Sequence, residues 1–165
     1  DCRIAMIYEG TNGIQALDLV GRKLAMDGGK PMREYLKIVQ SFVNGEHAED
    51  FKTDFIAPLK KSTDHLQTAL MFFMENGLKN PLSAVSGATD FLHLVGLVSL
   101  GFIWSKKAQS AMEQLKSSPN NKNFLEAKIL TGSYFMHRQL PETKLRLDKV
   151  LTGEKQVMSL AANQF

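Results

Sequence analysis

A single cysteine, Cys2, stands in a chain of 165 residues, so no intrachain disulfide can form and a reducing, cytoplasmic setting is expected. Five prolines and the absence of a Cys/His cluster argue against a metal-stapled scaffold. His47, His65, His93 and His137 lack the i, i+4 pairing with carboxylates that a zinc-binding helix requires, and no metal is expected. Neither sign of charge dominates: 20 Lys and Arg face 17 Asp and Glu, leaving +3. Lys60-Lys61 and Lys106-Lys107 read as solvated helix faces, and without an arginine-rich stripe the sequence gives no reason to expect nucleic acid. No apolar run is long enough for a membrane span. The most apolar one, Phe91 to Trp104, falls short of the roughly 18 residues required and carries His93, so it reads as a core helix, with His93 satisfied inside it. The opening DCRIAMIYEG begins on Asp1 and has no basic region followed by an apolar core, so the chain is expected to be a fragment of something longer. No repeat of 20 to 50 residues, roughly, and no low-complexity tract interrupts it.

What remains is enough to fold. Hydrophobic residues make up 44% and ten are Phe, which excludes a disordered tail or a collagen-like fibre and allows one domain-sized core. Apolar residues recur every three or four positions between Gly, Pro and Asn, which predicts an all-α protein folded as an antiparallel helical bundle. A short helix through Ile4, Met6 and Ile7 is expected to end near Gly10. A second follows Thr11-Asn12-Gly13, where Thr11 or Asn12 can cap it, and stops at Gly28-Gly29. Pro31 suits the first turn of a third, which runs through Leu36, Val39 and Phe42 to Asn44-Gly45. Phe51, Phe55, Leu59, Leu66, Leu70 and Phe73 form one stripe of a long helix bent near Pro58 and ended by Asn76-Gly77. Asn80-Pro81 opens the central helix, whose run from Phe91 to Trp104 is apolar on most sides, buries Leu97, and lets neighbours approach at Gly96 and Gly101. After a loop over 117–121 come a helix from about Asn123 to Gln139, with Leu125, Ile129 and Met136 inward, and a shorter one from Pro141.

The chemistry concentrates near the start. Ile7-Tyr8-Glu9-Gly10-Thr11-Asn12-Gly13-Ile14-Gln15 sets one carboxylate in a turn between helices, apolar residues before it and glycines after. A partly apolar pocket raises a carboxylate's pKa and makes it a better base, while glycines admit a ligand to the backbone. Thr11, Asn12 and the helix N-terminus can donate to an anionic or carbonyl-bearing cofactor. Composition by itself reads Glu9 as a solvated charge, the usual state of a lone Glu in a turn. The helix that follows carries Ile14, Leu17, Leu19, Val20, Leu24 and Met26, more apolar positions than one stripe hides, so part of it is expected to face a partner.

The stretch from Arg3 through Thr11, followed by Ile14-Gln15, resembles the I-Y-E-G-T-x-x-I-Q signature of flavin-dependent acyl-CoA dehydrogenases. Gly96 to Trp104, Ala127-Lys128 and Leu140-Pro141 resemble the C-terminal extension of a subgroup that includes 3-methylthiopropanoyl-CoA dehydrogenases. The resemblance implies that residues 1–45 are the last helices of the dehydrogenase's C-terminal domain and 46–165 the helical extension. It also implies FAD as cofactor, an acyl-CoA substrate, electron-transfer flavoprotein as acceptor, and a homo-oligomer. Glu9 takes the place of the base that removes the α-proton while flavin N5 receives a hydride from the β-carbon. Gly10 would lie beside the thioester, Tyr8 would wall the acyl pocket, and Thr11 would touch the flavin cofactor. Asn12 and Gly13 would also face it, Gly13 by backbone alone because many relatives have Gln there; Gln15 would stand behind. The alternative is a non-catalytic oligomerisation or docking module, such as one in the DNA-associated AidB-like relatives.

Overall fold

The computed structural model describes residues 3–4, 11–77, 79–117, 120–157 and 159–164, and every regular element among them is helical. Cys2, Met6, Ile7 and Gly10 lie outside the described residues, whereas Ile4 is helical and exposed. Helix α1 (Thr11–Asp18) continues through a π-helical turn, Leu19–Lys23, and a 3-10 turn, Met26–Gly29. The anticipated stop at Gly28-Gly29 is made by three successive left-handed residues, with φ of 47° at Asp27, 61° at Gly28 and 81° at Gly29. Two of the three have no Cβ to clash there, and Asp is among the side chains that tolerate it. Arg33 donates to the Gly28 carbonyl and braces the reversal.

Pro31 falls in the first turn of α2 (Lys30–Val43), which buries Leu36 and Val39. A helical turn, Glu49–Phe51, and a π-helical turn, Lys52–Ile56, lead into α3 (Ala57–Asn76). The irregularity expected at Pro58 therefore lies one turn earlier, where the Ala57 N–H reaches back to the Lys52 carbonyl. Pro58 itself sits in the first turn of α3, directly after that π-helical turn. Helix α4 (Pro81–Leu115) has 35 residues, about 52 Å of rod. By length and composition it is apolar enough to cross a membrane, yet α1, α3, α5 (Lys122–Tyr134) and α6 (Glu142–Thr152) all pack on it. It is the central helix of the bundle, as its composition indicates. A π-helical turn, Phe135–Gln139, joins α5 towards α6, and a 3-10 turn, Ala162–Gln164, lies near the chain's end.

Helices α3 and α4 run antiparallel, because Gly87 meets Phe73 while Gly101 meets Leu59. Two clusters make the core. One gathers Leu66, Leu70 and Phe73 with Phe91, Leu94, Val98, Leu147 and Val150. The other gathers Phe51, Phe55 and Leu59 with Phe102, Met136 and Leu140. The predicted stripe of α3 is thus entirely buried. In α4 the buried line runs Phe91, Leu94, Val98, Phe102, with steps of three and four. Leu97 falls beside that line and is only half-buried, contrary to the expectation from the apolar run. His93 is not a core histidine, because it shares the opposite, exposed side with Leu100 and Ile103. Gly96 is on that side too, and a Cβ there would meet nothing within 4 Å. Close approach happens instead at Gly101, whose Cβ would stand 3.1 Å from Leu140 Cδ1, and at two glycines the sequence did not single out. Gly132 would press on Phe55 at 3.0 Å and Gly87 on Phe73 at 3.3 Å.

Candidate active-site edge

Tyr8, Glu9 and Gly10 lie outside the described residues, so the geometry on view is that of the segment they lead into. Thr11 begins α1, and Asn12 and Gly13 complete its opening turn, all three exposed. Asn12 is already inside the helix, not in the flanking position where a side chain caps. A Cβ added at Gly13 would meet nothing within 4 Å. No acidic residue stands in this first turn, and the dipole of a helix favours negative charge at that end.

Behind that edge the two sides of α1 differ. Its solvent side carries Asp18, which accepts from Arg22 Nε at 2.6 Å and Nη2 at 2.9 Å, with Lys23 Nζ at 3.0 Å. These bonds, Arg22 first and Lys23 second, hold the Asp18 carboxyl down at about 2. On the other side, Leu17, Val20 and Leu24 line an apolar hollow of about 490 Å³ against Phe73, Met74 and Val85. Ala16 is the one residue of α1 that is fully enclosed, while Ile14 stays 67% and Leu17 46% exposed. The helix does carry more apolar surface than the bundle hides. Among the described residues this arrangement supplies one wall of a site.

The other sequence candidates are distributed elsewhere. Lys60 pairs with Asp64 at 3.0 Å, Lys107 lies 5.0 Å above the Trp104 ring and Lys106 5.6 Å above Phe102. Among the described residues no three His, Cys, Asp or Glu side chains come together as a metal would need. Four part-buried polar links escaped sequence reasoning altogether: Tyr35 to Ser99, His65 to Thr143, Asn80 and Ser83 to Glu154, and Arg146 to Asp90. Each joins residues more than fifty positions apart, and no local spacing announces such pairs.

The family model described as acetyl-CoA dehydrogenase C-terminal like matches residues 35–161, from within α2 into the tail after α6. The chain belongs to the acyl-CoA dehydrogenase family. The chain is 31% identical over 156 residues, 93% of its length, to a 3-methylmercaptopropionyl-CoA dehydrogenase of Ruegeria pomeroyi. It is 27% identical over 168 residues, 97% of its length, to a broad-specificity linear acyl-CoA dehydrogenase of Mycobacterium tuberculosis. A butyryl-CoA dehydrogenase of Syntrophomonas wolfei is 25% identical over 145 residues, 86% of the chain. The chain spans about a quarter of each: 26%, 28% and 24% of their lengths, respectively. Dehydrogenases of this family imply FAD. The open first turn of α1, with no side chain at Gly13, fits one margin of such a cofactor.

Proposed function

We propose that the chain is the C-terminal part of an FAD-dependent acyl-CoA dehydrogenase that oxidises an acyl-CoA thioester to the 2,3-enoyl-CoA. The observation that carries this reading is the I-Y-E-G-T-x-x-I-Q stretch running into the open first turn of α1, in a chain whose relatives are acyl-CoA dehydrogenases. Residues 1–45 belong to the dehydrogenase's C-terminal helical domain and 46–165 to its extension, the two sharing one core through Leu36 and Val39. Glu9 is the general base: its carboxylate takes the α-proton. Bound FAD supplies the acceptor for the hydride that leaves the β-carbon. Gly10 lets the thioester come close to the backbone, and Tyr8 walls the acyl chain. Thr11, Asn12 and the Gly13 backbone form the margin against the cofactor. The remaining walls come from other parts of a longer protein, with electron-transfer flavoprotein removing the electrons in a cytoplasmic setting. The exposed Ile14 and Leu17 are covered by those parts or by a second subunit.

In the longer protein, Glu9→Gln is expected to leave FAD bound and to slow anaerobic flavin bleaching by acyl-CoA about 10²- to 10⁴-fold, the usual contribution of a positioned base. Bleaching at the parental rate would remove Glu9 from the mechanism.

A further inference from the structure

A second, smaller hollow lies at the seam of α3 and α6. It measures about 90 Å³, the room of about three waters, and Lys61, Ser62, His65, Thr143 and Lys144 line it together with the apolar Pro58, Met136, Leu140 and Pro141. His65 Nδ1 stands 3.0 Å from Thr143 Oγ1, and that hydroxyl donates to the Leu140 carbonyl at 2.9 Å. A hydroxyl has one hydrogen. Thr143 therefore accepts from Nδ1–H, which leaves Nε2 of the neutral ring as the bare nitrogen. The N–H groups of Thr143 and Lys144 already donate to the Leu140 and Pro141 carbonyls at 3.1 and 3.2 Å, so positive charge at the hollow comes from side chains. Burial, then Lys61, then Lys144, keep the His65 ring below its ordinary pKa. Asp64 and Asp148 oppose this more weakly; Lys60 is bonded to Asp64 and Lys144 to Asp148, and because the Lys144 pair is exposed, it exchanges for a bound anion at little cost.

We propose that this hollow binds one oxyanion of the phosphate class, free or as the end group of a larger ligand, held by Lys61 and Lys144, and that His65 takes up a proton on Nε2 as it binds. Two lysines beside an imidazole repel its proton. An anion between them removes the repulsion and gives Nε2–H an acceptor, so binding and protonation must favour one another. The hollow suits a single tetrahedral ion, with no room for a nucleotide. The inference stands independently of Glu9.

The test is nuclear magnetic resonance titration of the His65 ring in the 165-residue chain, without ligand, with inorganic phosphate, and with coenzyme A, alongside calorimetry. Either ligand should raise the His65 pKa, and affinity should grow as the pH falls. Lys61→Ala and Lys144→Ala should each weaken binding by roughly tenfold, the scale of one charge-assisted contact. His65→Asn keeps a donor for Thr143 while removing the titrating nitrogen, so it should abolish the pH dependence and leave binding at high pH intact. Equal affinity for the two ligands assigns the site to free phosphate, and tighter coenzyme A to an end group. An unmoved His65 with both ligands, or undiminished binding in the lysine variants, overturns the proposal.

Discussion

Two adjacent residues of α4 should respond to the same substitution in opposite ways. Val98 is fully enclosed, at 0% exposure, between α3 and α6, whereas Leu97 lies beside the buried line and is half-open. Val98→Asp forfeits the burial of a valine, about 1.5 to 3 kcal/mol. It also places a carboxylate among Leu66, Leu94 and Leu147 with no cation in the cluster, which adds several kcal/mol even after the group escapes by protonation. The sum, about 5 kcal/mol or more, reaches the lower end of the roughly 5 to 15 kcal/mol that holds a domain together. Leu97→Asp loses only part of a leucine's burial, about 1 to 2 kcal/mol, because its carboxylate can reach water. Urea unfolding followed by circular dichroism separates the two. Leu97→Asp should retain a cooperative transition with a midpoint lowered by about 1 M, and Val98→Asp should show no transition or express only as insoluble protein. Cooperative unfolding of Val98→Asp at the parental midpoint would refute the assignment of the buried line, and so would a Leu97→Asp chain less stable than Val98→Asp.

The glycines of α4 offer a second contrast. Gly96→Ala, in open space, should stabilise by up to about 1 kcal/mol through helix propensity. Gly101→Val, pressing on Leu140 from 3.1 Å, should lose about 1 to 3 kcal/mol, and thermal melts would show whether the signs differ. A further prediction concerns acid. Ser83 donates to Glu154 and Asn80 does so at 2.6 Å; with a backbone bond, they hold the Glu154 carboxyl below the usual glutamate range. The folded value being lowered, this contribution is complete above that range and is lost as the pH falls through the lowered value. Glu154→Gln should therefore flatten the acid side of the stability profile between about pH 6 and about pH 2, and an unchanged profile would show that the bonds contribute nothing.

Most of the fold was legible because helical spacing and breakers agree along this chain. The stripe from Phe51 to Phe73, the start at Asn80-Pro81 and the reversal at Gly28-Gly29 all follow from local rules. Spacing failed where a segment is apolar all round. From Phe91 to Trp104 nearly every position could be core, so periodicity could not say that Val98 is enclosed and Leu97 half-open, or that His93 and Gly96 face outward. Which glycine admits a neighbour depends on the partner helix, and α5 and α6 set that choice at Gly132 and Gly87. The π-helical turns were equally invisible, since i to i+5 bonding has no composition of its own. At the candidate site the sequence supplied the motif, and the structure added the open turn and the apolar hollow that follow it.

The uneven anchoring of α1 has a consequence for how such an enzyme is assembled. The bundle encloses one residue of that helix, while Leu19, Val20 and Leu24 only lean on the core. A segment with so few enclosed contacts opens at a smaller free energy than α3 or α4, whose lines are sealed over their whole length. Amide hydrogen exchange would therefore proceed first through α1. Glu9 precedes this helix by two residues, so under the proposed mechanism the placement of the base is governed by whatever surface clamps Ile14 and Leu17 from outside. Catalytic competence then becomes a property of docking: the chain would carry its base in a poised but unset state until the neighbouring surface closes on it.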